Sequence, residues 1–130
     1  AQGPGIQLVI SDPEQQVEAA TLLDVVEELR DAGGEAIQVG TARVVADTAF
    51  VDDTGGIAVG GSVQHFPLTL LVIGDPQTLT AALNIPGGVL DNLRQDGATG
   101  IVTQKDTVNI TALLPTKAPQ YARPAPSANS

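Results

Sequence analysis

Cysteine is absent from this chain of 130 residues, as are methionine and tryptophan. Without thiols there are no disulfides and no thiolate metal sites, and the redox compartment stays open. Aromatics are nearly missing as well, limited to Phe50, Phe66 and Tyr121. With no tryptophan there is little to stack a sugar ring against, which speaks against carboxylate-pair glycosidase chemistry. The core must therefore be aliphatic. No apolar run reaches the ~18 residues of a membrane span, and no signal peptide is visible. The chain starts at Ala1 and reads as a fragment, so any anchor of the parent protein lies outside it.

Cations are scarce. Fifteen acids stand against six bases, for a net charge of −9. All the acids fall in residues 1–114, with only Arg30, Arg43, Arg94 and Lys105 among them, which leaves that part at −11. The stretch 115–130 carries Lys117 and Arg123 and no acid, a net of +2. Phosphate-backbone binding needs clustered cations. Four scattered ones on an acidic body cannot supply them, so nucleic acid and anionic lipid surfaces are poor candidates as partners.

The apolar pattern is that of an α+β domain over residues 1–114, followed by an extended Pro/Ala-rich tail over 115–130. Ile6, Leu8 and Ile10 alternate as a first strand. Thr21 is expected to cap a helix, with Asp24 as an imperfect capping box. Leu22, Val25, Val26, Leu29 and Ala32 form its buried stripe, and Gly33 its left-handed stop. "EAIQV" is a second strand. A β-rich insert follows, in which Gly60-Gly61 between "IAV" and "SVQ" predicts a two-residue hairpin. "LTLLVIG" reads as a central strand. A second helix starts at Asp75-Pro76, is interrupted by "NIPGG", and resumes as "VLDNLRQDG". "TGIVTQ" and "TVNITAL" are expected to close the domain as a hairpin turning at Lys105-Asp106. The order is that of a ferredoxin-like split β-α-β fold: an antiparallel sheet with two helices on one face, plus the insert and one extra C-terminal strand.

Several stretches invite a functional reading. "IGDPQT" places a helix start after a strand, as phosphate sites do. Attraction to a helix terminus is worth about 0.3–1 kcal/mol at an exposed site. A phosphate ~4 Å from the Asp75 carboxylate meets roughly 4 kcal/mol of repulsion at an effective dielectric near 20. Asp75 is therefore read as an N-cap and Pro76 as the first helical residue. The glycine pairs lack phosphate-loop spacing. His65 stands alone, with neither a zinc ligand set nor a nucleophile relay around it. Asp52-Asp53 lacks the alternating oxygen ligands of a calcium loop and reads as a solvated turn. No cofactor or metal is expected.

The motifs "GPGIQLVISDP", "LLDVVEELRDAGGEAIQVGTARVVADT", "GGIAVGGSVQ", "VIGDPQTLTAAL" and "PGGVLDNLRQDGA", in this order, resemble the bacterial domain-of-unknown-function 881 family, also called YlxW/YlxX-like. The resemblance covers roughly Gly3 to Leu114. It implies a ferredoxin-like domain on the extracytoplasmic face of the cell membrane, in a parent with one transmembrane helix and a coiled coil. The family carries no established catalytic residues, so none transfer. The expectation is a non-enzymatic interaction module of an envelope or division-associated protein, binding a protein partner or a second copy as a homodimer. Lys117, Tyr121 and Arg123 of the tail are its candidate contacts. The rival reading is a small-ligand sensor, with Val44 to Phe66 walling a pocket.

Overall fold

The computed structural model describes residues 1–114, so the expectations for Lys117, Tyr121 and Arg123 lie outside the described residues. Its elements run β1 (Gln2–Ser11), α1 (Ala19–Asp31), β2 (Ala36–Val39), β3 (Ala42–Val44), β4 (Phe50–Asp53), β5 (Gly56–Val59), β6 (Ser62–Gln64), β7 (Leu68–Ile73), α2 (Pro76–Leu83), α3 (Val89–Gln95) and β8 (Thr99–Asn109). Five strands form one antiparallel sheet in the order β3-β2-β7-β1-β8, and β4-β5-β6 form a second, smaller one. The architecture is α+β.

Strand periodicity explains the core. Ile6, Leu8 and Ile10 of β1 point to one face, where Leu68, Leu70 and Val72 of β7 meet them, and all are buried. Leu8 stands opposite Leu70 on one side and Val102 on the other. The helices supply the second layer: Leu22, Val25, Val26 and Leu29 of α1, Leu79 and Leu83 of α2, and Leu90 and Leu93 of α3 join the same cluster. Fully burying one such leucine is worth about 1.5–3 kcal/mol.

The helix ends follow local chemistry. Gly33 takes φ +92°, and its N–H donates to Arg30 O while Gly34 N–H donates to Leu29 O. That is a Schellman ending, and Gly97 with Ala98 repeats it after α3. Ala98 is buried with Leu93, the apolar contact that accompanies this motif.

Behind the sheet a second apolar cluster joins Ala36, Ile73, Val108 and Ile110. The ends of β1 and β8 run past β7 as a two-stranded ribbon, and a register shift lies between Gly3 and Gly5. The ribbon lays Val108 and Ile110 against Ile73, on the face away from the helices. Ala112 N–H then donates to Gln38 Oε1 on β2. Beyond this arm no other described element covers the back face, and Ile101 on β8 is 64% exposed.

Three expectations change. The C-terminal hairpin does not form: Lys105-Asp106 lies inside one continuous strand, β8, that pairs with β1 along its length. No glycine or proline stands there to force a turn, and the extra C-terminal strand does not exist. The interruption expected at "NIPGG" is present, with Gly87 at φ +75°, but it separates two independent short helices, α2 and α3; the described residues thus hold three helices and not the expected two. Asp52 and Asp53 end strand β4 and are not a free turn.

Candidate functional site

The loop between β1 and α1 is built around one carboxylate. Asp12, only 9% exposed, accepts hydrogen bonds from Gln16 N (3.1 Å) and Val17 N (3.0 Å). Gln15 sits there in a left-handed conformation at φ +56°. At the end of that loop Glu18 occupies the N-cap position of α1 but makes no side-chain cap. The cap comes from the small sheet instead: Asp52 Oδ1 accepts from Ala19 N at 2.7 Å. Thr21 is the third residue of α1 and does not cap it, contrary to the sequence expectation. A carboxylate 33 residues away won the position because β4 delivers it to the helix start.

Between this loop and the small sheet lies a cavity of about 350 Å³, lined among others by Asp12, Glu18, Asp52, Asp53, Ile57 and Phe66. Residues of the insert form one wall, though not the apolar one expected of Val44 to Phe66. Its lining is acidic, and Asp12 and Asp52 already hold backbone N–H groups. No group of three or more His, Cys, Asp or Glu side chains among the described residues is arranged to hold a metal ion. His65 lies beside the turn at the tip of β4-β5, its Nδ1 2.9 Å from Gly55 O, so the Nδ1–H tautomer donates to that carbonyl.

The corner after β7 is a capped helix start. Asp75 Oδ2 accepts from Thr78 N (2.9 Å) and Thr78 Oγ1 (2.7 Å), and Pro76 opens α2. These bonds, the Thr78 hydroxyl first, hold the Asp75 carboxyl below its ordinary range. The carboxylate occupies the amide an incoming anion would need. Asp91 is lowered too, mainly by Arg94 and then by the Gly87 amide it accepts from. Gly60 and Gly61 join β5 to β6 with φ +59° and +85°, the left-handed pair a tight two-residue turn requires.

The chain matches a family described as "Bacterial protein of unknown function (DUF881)" over residues 1–123. It is 44% identical over 128 residues to the "UPF0749 protein Rv1825" of Mycobacterium tuberculosis, covering 95% of this chain and 44% of that protein. It is 31% identical over 127 residues to the "UPF0749 protein YlxW" of Bacillus subtilis, covering 89% of this chain and 54% of that one. It therefore spans about half, or less, of the length of these relatives. A solved structure, "Crystal structure of an uncharacterized conserved protein from Mycobacterium tuberculosis", superposes with a TM-score of 0.86 at 44% identity, covering 95% of this chain and 90% of that one. On the match along nearly its whole length and on these relatives, the chain belongs to the bacterial DUF881 family, which includes YlxW-like proteins.

Proposed function

We propose that this domain is a non-enzymatic protein-interaction module of a membrane-anchored envelope or division-associated protein, held on the outer side of the cell membrane by a segment outside this chain. The observation that carries the reading is β8. It is an edge strand of eleven residues, paired among the described residues with β1 only. Among the described residues no strand pairs with its outer side, which is how sheets accept a strand from another chain.

The partner is a second copy, added β8 to β8. With a two-fold axis through Gln104, Lys105 of one copy stands opposite Thr103 of the other, and Asp106 opposite Val102. No like charges then face each other directly. For the main sheet we keep the ferredoxin-like reading, which the order β2-β7-β1-β8 with the helices on one face supports. Carboxylates that acid/base chemistry would recruit, Asp12, Asp52 and Asp75, instead bind backbone amides.

Sedimentation velocity over a hundredfold concentration range tests this. Wild type is expected to shift toward dimer as concentration rises, and Ile101→Lys, at an exposed position on the strand, to stay monomeric. A monomer at every concentration overturns self-pairing. A small-ligand sensor is the second reading, favoured by the cavity beside Asp12 and Phe66. A thermal-shift screen separates the two: a reproducible rise with one metabolite class supports the sensor, and a flat screen supports the module.

A further inference from the structure

At the opposite edge of the main sheet, beside β3, the molecule has a small recess of about 230 Å³. Arg30, Gly34, Glu35, Ala36, Arg43 and Val45 are among its lining residues. Arg30 belongs to the last turn of α1 and Arg43 to β3. They are two of only four basic side chains in residues 1–114.

Their state is unusual for so acidic a body. The one ion pair among the described residues is Arg94–Asp91, so neither Arg30 nor Arg43 is matched to a carboxylate. Arg30 Nη2 and Arg43 Nε are both buried without a hydrogen-bond partner, and they are the only side-chain atoms among the described residues in that condition. A guanidinium N–H removed from water and given no acceptor is costly, and folded proteins rarely leave one so. Both residues line the recess, and a small turn of either side chain would bring its covered donor to an acceptor supplied from outside.

We propose that the Arg30–Arg43 recess is an anion site for a single carboxylate group. Charge selects the class. Two guanidinium groups and the Glu35 carboxylate leave the lining at +1, which a monoanion neutralises. A phosphate dianion would instead leave excess negative charge on a body already at −11. The guanidinium fork fits a planar carboxylate through paired N–H donors. The volume falls below that of pockets for drug-sized ligands, so the occupant is a small headgroup or a side-chain end. Two sources share this chemistry, a free carboxylate metabolite and an acidic side chain of a protein segment.

The experiment is an NMR titration that follows the Arg Nε–H resonances of the intact chain at constant ionic strength, with sodium chloride as the control salt. The probes are sodium propionate and the blocked peptide acetyl-Gly-Glu-Gly-amide. The expected result is a saturable shift of the Arg43 Nε–H signal with both probes and no matching change with chloride. Inorganic phosphate at pH 7.5 is expected to bind at least fivefold more weakly. Peptide affinity at least fivefold above propionate assigns the site to a protein segment, and equal affinity assigns it to a small metabolite. Arg30→Gln and Arg43→Gln are each expected to weaken binding tenfold or more while thermal unfolding stays cooperative. If either variant fails to fold, the wild-type titration and the phosphate comparison decide alone. A linear, chloride-like response, or phosphate binding as tightly as propionate, overturns the proposal.

Discussion

Removing the Asp52 carboxylate tests whether the two sheets are tied together through the start of α1. Asp52 Oδ1 sits 2.7 Å from Ala19 N and is the side-chain cap of this helix. Replacing a capping carboxylate by alanine costs about 0.5–2 kcal/mol, typically ~1. For a chain of this size that corresponds to a fall in Tm of roughly 3–5 °C, between the values for smaller and larger domains. Asp52→Asn keeps an acceptor in place and loses only the attraction of a negative charge for the helix start, about 0.3–1 kcal/mol. Thr21→Ala is the control. Were Thr21 the cap, it would lose as much as Asp52→Ala. As a residue inside the helix it is expected to be neutral, or stabilised by a few tenths of a kcal/mol through better helix propensity, about 0.5 kcal/mol at most. Urea unfolding followed by far-UV circular dichroism reads all three. The order of loss is expected to be Asp52→Ala, then Asp52→Asn, with Thr21→Ala unchanged or improved. A Thr21→Ala loss equal to that of Asp52→Ala would refute the long-range cap.

Other substitutions probe the remaining joints. Leu70→Ala, at a fully buried position in the central strand, is expected to cost about 2–5 kcal/mol in the same unfolding assay. A Cβ on Gly5 would lie 1.8 Å from Val72 O across the β1–β7 ladder, so Gly5→Ala is expected to lose more than about 4 kcal/mol or to fail to accumulate as soluble protein. Gly33→Ala meets nothing in space but must adopt φ +92°, and is expected to lose about 1–2 kcal/mol by urea titration. For pH, the folded Asp75 and Asp91 carboxyls lie below the ordinary 3.8. Their contribution is therefore full above that value and is lost as pH falls through the lower folded pKa. Wild type is expected to exceed Asp75→Asn in stability at pH 6, with the gap closing below pH 3.8. A gap that persists at pH 2 would count against the capped carboxylate.

Local signals were legible in the sequence wherever a few consecutive residues decide the outcome. The β5–β6 turn at Gly60-Gly61, the α2 start at Asp75-Pro76 and the left-handed Gly33 all depend on neighbours within four residues. The apolar stripe of α1 and the alternation of β1 were equally plain, because one buried face imposes a period. What could not be read is what the tertiary fold decides. The α1 cap arrives from Asp52, 33 positions on, while the only local signal is a suitable Thr21 inside the first turn. The single long β8 exists because β1 offers a partner along its whole length, overriding the charged Lys105-Asp106 pair that suggests a turn. The Arg30–Arg43 recess has no sequence signal, since a helix end and an edge strand 13 residues apart meet only through the β2–β3 ladder.

Hydrogen exchange read by mass spectrometry on the intact chain at 5 and 500 μM bears most directly on β8 as the docking edge. Slower exchange at the higher concentration is expected in peptides covering Thr99–Asn109, with β3 and the small sheet unchanged and the effect abolished in Ile101→Lys. Equal exchange at both concentrations, or protection confined to another part of the molecule, would contradict it.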